Sequence, residues 1–571
     1  MKSAIWSFWG LASLALASPS PSALRRRQSL GLPTATTKNG TYVGAHSSTY
    51  NQDFFLGVPF AQPPLQDLRF RNPVPLNETW TDTRPATLYA MECIGYGGDQ
   101  VGYEESEDCL YLNVVRPAGY ENESLPVGVW IHGGGFYDGG TPDRRYNLSF
   151  IVDNSVSIGK PIIGVSIAYR LGAFGFIASE EVQASGQTNI GLRDQNLALQ
   201  WIQENIAGFG GDSSKVTIWG ESAGAISVGF HITLYNGRND NLFRGAIMES
   251  GNPVGSNSIY NVSHYQDEYD DVISSAGCGD AADSLDCLRQ VPFATLNAVL
   301  NNTDYSWDPF LDGDLNQRYG SEQLKDGSFV KVPIIDGANS DEGTSFGPTG
   351  VYTTQDLINF MTNANLSSIA IPESYVPALL DAYPDIPALG IPGADEGLGN
   401  ITLPAPFGAE YRRSSAYFGD AVMIAPRRYT CQQWATFNLT AYCYRFNAIP
   451  TGVPWTSGVT HFQEVAFVFD NTEGLGYTIN PFANKSEAYF KLASLMSKSW
   501  ASFIFDQEPN NWPGRDSYAL NSSSVAPWPR YDTANPMNMV WDANRTSYPE
   551  PDTFRKAGIA LINSDALAYS R

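Results

Sequence analysis

The sequence predicts an α/β fold in a single large domain, with a mostly parallel central sheet flanked by helices on both faces. Three observations carry this. Short apolar runs alternate with stretches of helical period; one run leads straight into a Gly-x-Ser-x-Gly turn; and no Gly/Ser linker, charge block or repeat divides residues 29–571. Length alone would suggest about four domains, so it is the missing divider that argues for one.

Strand-like runs fall at 127–131 (VGVWI), 161–168 (PIIGVSIA), 216–219 (VTIW), 245–248 (GAIM), 332–335 (VPII) and 442–446 (YCYRF). Helical stretches lie between several of them. In 191–206 (GLRDQNLALQWIQENI), for example, Leu197, Trp201 and Ile202 recur at helical spacing.

The run 216–219 continues into Gly220-Glu221-Ser222-Ala223-Gly224 and an Ala-rich helical stretch. A Ser on a sharp strand-to-helix turn projects its Oγ out of the sheet, within reach of a base on one side and a carbonyl carbon on the other. Ser222 is therefore the candidate nucleophile. The pentapeptide alone is weak, because 53 Gly in 571 residues give about 0.4 chance matches. A second match exists at Gly343-Thr344-Ser345-Phe346-Gly347, but no apolar run leads directly into it and Pro348 follows where a helix should start. Ser345 reads as a decoy.

The run 127–131 ends in His132-Gly133-Gly134-Gly135-Phe136. Three successive glycines let backbone N–H groups turn into a shared space without Cβ obstruction, as stabilising an oxyanion requires. Placed after a strand and upstream of the elbow, the tract matches the oxyanion loop of lipases and esterases.

Five histidines exist: His46, His132, His231, His264 and His461. In the order nucleophile, acid, base, the base must follow both partners, which leaves His461. His231 would lie about 13 Å along a continuous helix from Ser222 and on roughly the opposite face. His264 follows a sequon and reads as a surface residue. For the acid, the loop expected after 332–335 offers Asp336, Asp341 and Glu342, and spacing does not choose among them.

Residues 1–17 have one positive charge, a short apolar core and an A-x-A ending, which predicts a secretory signal cleaved after Ala17. A short propeptide, 18–28, is expected to end near Arg25-Arg26-Arg27. Six cysteines fall into sequence-local pairs, Cys93 with Cys109, Cys278 with Cys287 and Cys431 with Cys443, as suits an oxidising compartment. Asn-x-Ser/Thr sequons occur at Asn39, Asn77, Asn122, Asn147, Asn261, Asn301, Asn365, Asn400, Asn438, Asn484, Asn521 and Asn544, glycan candidates where exposed. No later run is long enough to cross a membrane, so the mature chain is expected to be soluble and extracellular. A net charge of −24 and a pI near 4.5 argue against a nucleic-acid partner.

Taken together the chain resembles the type-B carboxylesterase/lipase family, which includes cholinesterases and secreted fungal esterases and lipases. The likeness runs from about residue 39 to near the end of the sequence. It rests on Phe55-Leu56-Gly57-Val58-Pro59, Glu107-Asp108-Cys109-Leu110-Tyr111-Leu112-Asn113, the His132 glycine tract, Tyr169-Arg170-Leu171-Gly172, Gly191-Leu192-Arg193-Asp194-Gln195, Gly220 to Gly224, Asp341-Glu342-Gly343 and Gly458-Val459-Thr460-His461. The resemblance implies an α/β-hydrolase fold and a triad of Ser222, His461 and Glu342. It also implies oxyanion donors at the N–H groups of Gly134, Gly135 and Ala223, and disulfides 93–109 and 278–287. Neither a metal nor an organic cofactor is implied.

Within that likeness one loop departs. Between Cys93 and Cys109 the chain is short, has no Trp, and bears Asp99, Glu104, Glu105, Glu107 and Asp108. A lid that docks on oil needs an apolar face, and a quaternary ammonium needs an aromatic one, for which only Tyr96 or Tyr103 could substitute. The expectation is an esterase acting on soluble or modest-sized esters, with a lipase or sterol esterase as the alternative and a non-catalytic adhesion ectodomain as a remote one.

Overall fold

Eleven strands form the central sheet of the computed structural model, which describes residues 31–571 except 256, 303, 304, 394–396 and 400. The expected leader, 1–17, and propeptide, 18–28, lie outside the described residues. From one edge the order is Tyr548–Pro551, Met537–Asp542, Ala441–Asn447, Ile334–Asn339, Gly245–Glu249, Gly211–Glu221, Leu125–Ile131, Ile163–Ile167, Tyr111–Pro117, Gln52–Pro59 and Ala45–Ser47. Strands from Met537–Asp542 through to Ile163–Ile167 pair in parallel, and antiparallel pairs close both edges.

The parallel strands read as continuous apolar runs because both faces are covered. Side chains alternate between two cores with the two-residue period of a strand. Val127, Val129, Ile131, Val216, Ile218 and Met248 enter one, packing against helices Ile190–Asn205 and Ala223–Gly237 through Leu199, Ile202, Ala225 and Val228. Trp130, Trp219, Ile247, Ile335 and Tyr444 enter the other, under helix Glu487–Asp506 through Met496, Trp500 and Phe503. A third core gathers helices Thr354–Thr362, Tyr411–Gly419 and Lys556–Ser564. Residues Leu32–Arg571 form one compact unit.

Two differences from the sequence reading share a cause. The strand expected at 332–335 runs from Ile334 to Asn339, so Asp336 lies inside the sheet and not on a loop. Strand Tyr111–Pro117 has no uninterrupted apolar run, since it buries Asn113 and Arg116. Asn113 accepts from Gly57 N at 2.9 Å and donates to Ser166 Oγ at 3.1 Å; the Arg116 guanidinium meets Asp53 at 3.1 Å. Polar residues buried inside the sheet hide strands from a reading of apolar runs.

All three local cysteine pairs are joined, and Cys431–Cys443 ties helix Ala425–Thr436 to the neighbouring strand Ala441–Asn447. Nearby, Asp552 is buried between Arg427 and Arg428 at 3.0 and 2.7 Å, with Tyr531 and Asn538 also donating to it. Replacing Asp552 by Asn leaves two buried guanidiniums without a counter-charge. Urea unfolding of Asp552→Asn should show a loss of about 3–5 kcal/mol, the usual cost of removing one member of a buried ion pair.

Candidate functional site

Parallel strands end on the same edge of a sheet, and there the chain assembles its polar side chains. Leu125–Ile131 delivers His132, Gly211–Glu221 delivers Ser222, Gly245–Glu249 delivers Ser250, and Ile334–Asn339 delivers Glu342.

Ser222 has φ 56° and ψ −125°, outside the regions an L-residue prefers. Its N–H donates to Glu249 O at 2.9 Å and its carbonyl accepts from Ile226 N at 2.9 Å, fixing the turn from both sides. The flanking glycines are steric necessities. A Cβ on Gly224 would sit 2.1 Å from Ile131 O, and one on Gly220 2.6 Å from the same oxygen.

Beside the elbow, a Cβ on Gly133 would lie 2.7 Å from Glu221 O and 3.2 Å from Ser222 Cβ. Gly134 and Gly135 take φ values of +97° and +63°, and space is open beside Gly135. Ala223 is the first residue of its helix, where leading N–H groups have no intrahelical acceptor. His132 anchors the tract: it stacks on Tyr169 with centroids 4.5 Å apart, and Tyr169 OH donates to His132 O at 2.9 Å. Burial pushes the His132 imidazole down to about 4, only partly offset by its bond to Gly133 O, so it is neutral.

His461 Nδ1 lies 2.8 Å from Glu342 Oε2. The other carboxylate oxygen of Glu342 accepts from Ser250 Oγ at 2.5 Å and from Asn339 N at 2.8 Å, so the acid is held on both sides. The imidazole Nε2 faces Glu221 Oε1 at 3.2 Å, which brings the ring to the residue before Ser222. Phe346 packs edge-on against the imidazole at 4.8 Å. Burial opposes a charge on His461, but the carboxylates of Glu221 and Glu342, the bond to Glu342 and the nearby Glu464 outweigh it and push the group up to about 9. Burial holds Glu221 well above the usual carboxylate range and lifts Glu464 to about 7.

The three acid candidates separate cleanly. Glu342 meets His461. Asp341 accepts from Val459 N at 2.8 Å through Oδ2 and so braces the histidine loop. Asp336 is buried in its strand, where burial raises its carboxyl well above the ordinary range. Ser345 stands in the one-turn helix Gly343–Phe346, exposed; a helix does form there, but Ser340 to Glu342 separate it from strand Ile334–Asn339, so no strand runs directly into it. His231 is buried with Nε2 3.1 Å from Gln195 Oε1, His264 stacks on Tyr260 at 3.7 Å, and His46 pairs with Asp53 at 3.0 Å. Ser250, Asn339, Glu464 and the part played by Glu221 escaped the sequence reading. The position of Ser250 just beyond the strand run at 245–248, with Glu249 between, was the one available signal.

Other quoted motifs are clamps. Arg170 of the Tyr-Arg-Leu-Gly motif grips Asp194 of Gly-Leu-Arg-Asp-Gln at 2.7 and 2.8 Å. Among the sequons, Asn77, Asn122, Asn261, Asn301, Asn365, Asn438, Asn484, Asn521 and Asn544 are exposed and Asn147 is half-buried, capping helix Leu148–Ser157. Asn39 is buried, its amide donating to Glu78 O at 2.7 Å, and Asn400 lies outside the described residues.

The fold, with a strained serine elbow, a glycine loop against it and a carboxylate-held histidine, is that of a serine ester hydrolase. The chain belongs to the carboxylesterase family, whose model matches residues 32–553. It is 35% identical to secreted lipase 1 of Botryotinia fuckeliana (strain B05.10), over 93% of this chain and 93% of that protein. It is 37% identical to lipase 4 of Diutina rugosa, over 94% of this chain and 97% of that one. Among solved structures, Aspergillus niger EstA superposes with a TM-score of 0.78 at 28% identity, covering 95% of this chain and 99% of that chain. A structure titled PNB esterase shares the fold, with a TM-score of 0.72 at 24% identity, over 93% of this chain and 100% of that chain. The protein is a carboxylic ester hydrolase.

A cationic imidazole cannot take a proton from serine, so with His461 as the proposed base kcat/KM should fall as pH drops through its titration. Glu221 holds that titration up. Glu221→Gln should therefore move the acid limb of the kcat/KM profile to lower pH, by roughly one unit or more for a charge at this range.

Proposed function

We propose that Ser222 is the nucleophile, His461 the general base and Glu342 the acid that orients it. The Glu342–His461 bond of 2.8 Å, with Glu342 itself pinned by Ser250 and Asn339, is the observation that carries this reading. In the first step Ser222 Oγ attacks the ester carbonyl carbon while Nε2 of His461 takes its proton. The negative oxygen formed there is stabilised by the N–H groups of Gly134, Gly135 and Ala223. Collapse expels the alcohol, which receives the proton from His461. In the second step water, losing a proton to the same nitrogen, attacks the acyl-enzyme; the acyl–Oγ bond breaks, His461 returns the proton to Ser222 Oγ and the acid leaves.

The protein is further proposed to be secreted after removal of residues 1–17 and to carry glycan on its exposed sequons. Three disulfides and the names of two relatives, a secreted lipase and a secreted triacylglycerol lipase of Gibberella zeae, support this reading. No helix among the described residues is long and apolar enough to cross a membrane.

Soluble or modest-sized esters are the first substrate reading, from the acidic loop 93–109. A second, water-insoluble acyl esters, is favoured by where that loop sends its charges. Glu107 pairs with Arg69 and Asp99 with Arg145, Asp108 accepts from Tyr111 OH, and Glu105 accepts from Gly95 N, while Glu104 and Glu105 remain exposed. Outward stand Leu88, Met91 and Val101, at 79%, 50% and 81% exposure. A choline-like substrate is not supported by Tyr96 or Tyr103, whose hydroxyls bind Asn297 and Arg144 N.

Initial rates on p-nitrophenyl acetate, butyrate, octanoate and palmitate, below and above the solubility limit, separate the readings. A peak at short chains with no jump at emulsion formation supports the first, and strong octanoate or palmitate turnover rising at the interface supports the second. Ser222→Ala should lose about 10⁴-fold or more in kcat on every ester while keeping its fold; retained activity would remove Ser222 from the mechanism.

A further inference from the structure

The second Gly-x-Ser-x-Gly, at Gly343–Gly347, has a geometry of its own. Its glycines serve packing: a Cβ on Gly343 would sit 1.8 Å from Ser415 O, and one on Gly347 2.7 Å from Gly343 O. Its hydroxyls point elsewhere. Ser345 Oγ is 2.6 Å from Thr460 Oγ1, and Thr344 Oγ1 is 2.8 Å from the same atom, immediately before His461 in the chain. We propose that Thr460, held by Thr344 and Ser345, is a positioning residue for His461. This rests on His461 being the base.

His461 stands on a loop, and its bond to Glu342 fixes Nδ1 without fixing the backbone beneath the ring. That backbone is clasped to the turn bearing the acid. Asp341 N donates to Val459 O at 2.9 Å, Val459 N to Asp341 Oδ2 at 2.8 Å, and Asn339 Nδ2 to Thr460 O at 2.8 Å. Gly458, at φ +59°, makes the approach possible, since a Cβ there would lie 2.2 Å from Asp341 Oδ2.

The hydroxyls complete the clasp. Thr344 Oγ1 lies 2.7 Å from Ser457 O and 2.8 Å from Asp341 O, and carbonyl oxygens only accept. Each hydroxyl has one proton. Thr344 is likewise the donor toward Thr460 Oγ1, so its one proton is shared among these three acceptors, while Ser345 and Thr460 bond to each other with either as donor. Thr460 is the link through which both neighbours act on the residue next to the base. Without its hydroxyl the loop keeps its bonds to Asp341 and Asn339, so the fold survives while the imidazole gains freedom to pivot. Small displacements of a reacting group are costly in rate and not in substrate binding.

The test compares Thr460→Val, a near-isostere, with Thr460→Ser, which keeps the oxygen, in the full-length secreted protein. Thr460→Val should lower kcat about tenfold with KM and the thermal midpoint little changed, and should slow phosphonylation of Ser222 in parallel. Loosening the Glu342 bond lowers the basicity of His461, which also faces Glu221 and Glu464, so the acid limb of kcat/KM should move to lower pH. Thr460→Ser should restore kcat and the limb. Ser345→Ala, an exposed change, should reproduce the effect at about threefold and serves if Thr460→Val does not fold. Wild-type kcat and pH profile in Thr460→Val and Ser345→Ala would overturn the proposal. So would a Thr460→Ser as impaired as Thr460→Val with a matching drop in thermal midpoint, the mark of a purely structural role. A dead Ser222→Ala beside an unimpaired Thr460→Val overturns this proposal alone; an active Ser222→Ala overturns the triad reading and this one with it.

Discussion

Forcing Ser222 to φ 56° and ψ −125° is the constraint on which the rest of the site depends. Such a conformation costs about 1–3 kcal/mol and persists only when its surroundings over-determine it. Here the surroundings are the sheet itself. Strand Leu125–Ile131 passes so close that Gly220 and Gly224 have no room for a side chain, and the end of strand Gly245–Glu249 accepts the Ser222 N–H. The same closeness seats Gly133 against Ser222 and so brings the glycine tract to the proposed nucleophile. Elbow and glycine tract are two consequences of one parallel register.

On the other side of the site, the electrostatics follow from burying acids together. Glu221, Glu342 and Glu464 surround a single histidine, in a place where burial disfavours any net charge. Burial raises the carboxyls of Glu221 and Glu464, the imidazolium facing them draws them back down, and in their ionised forms they favour the imidazole as a cation. On the proposed mechanism such a ring holds firmly the proton it takes from serine, and must be neutral before it can take one. The requirement it imposes is geometric, since a highly basic ring helps only if it is aimed, and the clasp between residues 339–346 and 457–461 supplies the aim.

Much of this was legible in the sequence, for identifiable reasons. Ser222 announces itself because the elbow is local: strand, glycines and helix are contiguous. His461 follows from chain order. Glu342 was reached only through resemblance, because the apolar run stops at Ile335 while the strand continues to Asn339, and a run-based reading puts Asp336 on a loop it never joins. Loop 93–109 leaves two substrate readings open for a different reason. Its charges can be counted from the sequence, but their direction is set by Arg69 and Arg145, which lie outside the loop and meet it only in three dimensions. Ser250 had only its place near a strand end to mark it for the same reason, its partner lying 92 residues away.

The central claim is that one strained serine, and no other, is the nucleophile. Treating the wild-type protein with an organophosphonate and mapping the adduct by peptide mass spectrometry tests it directly. The account predicts a single adduct on Ser222, formed faster as pH rises through the His461 titration. An adduct on Ser345, or none at any pH, would contradict it.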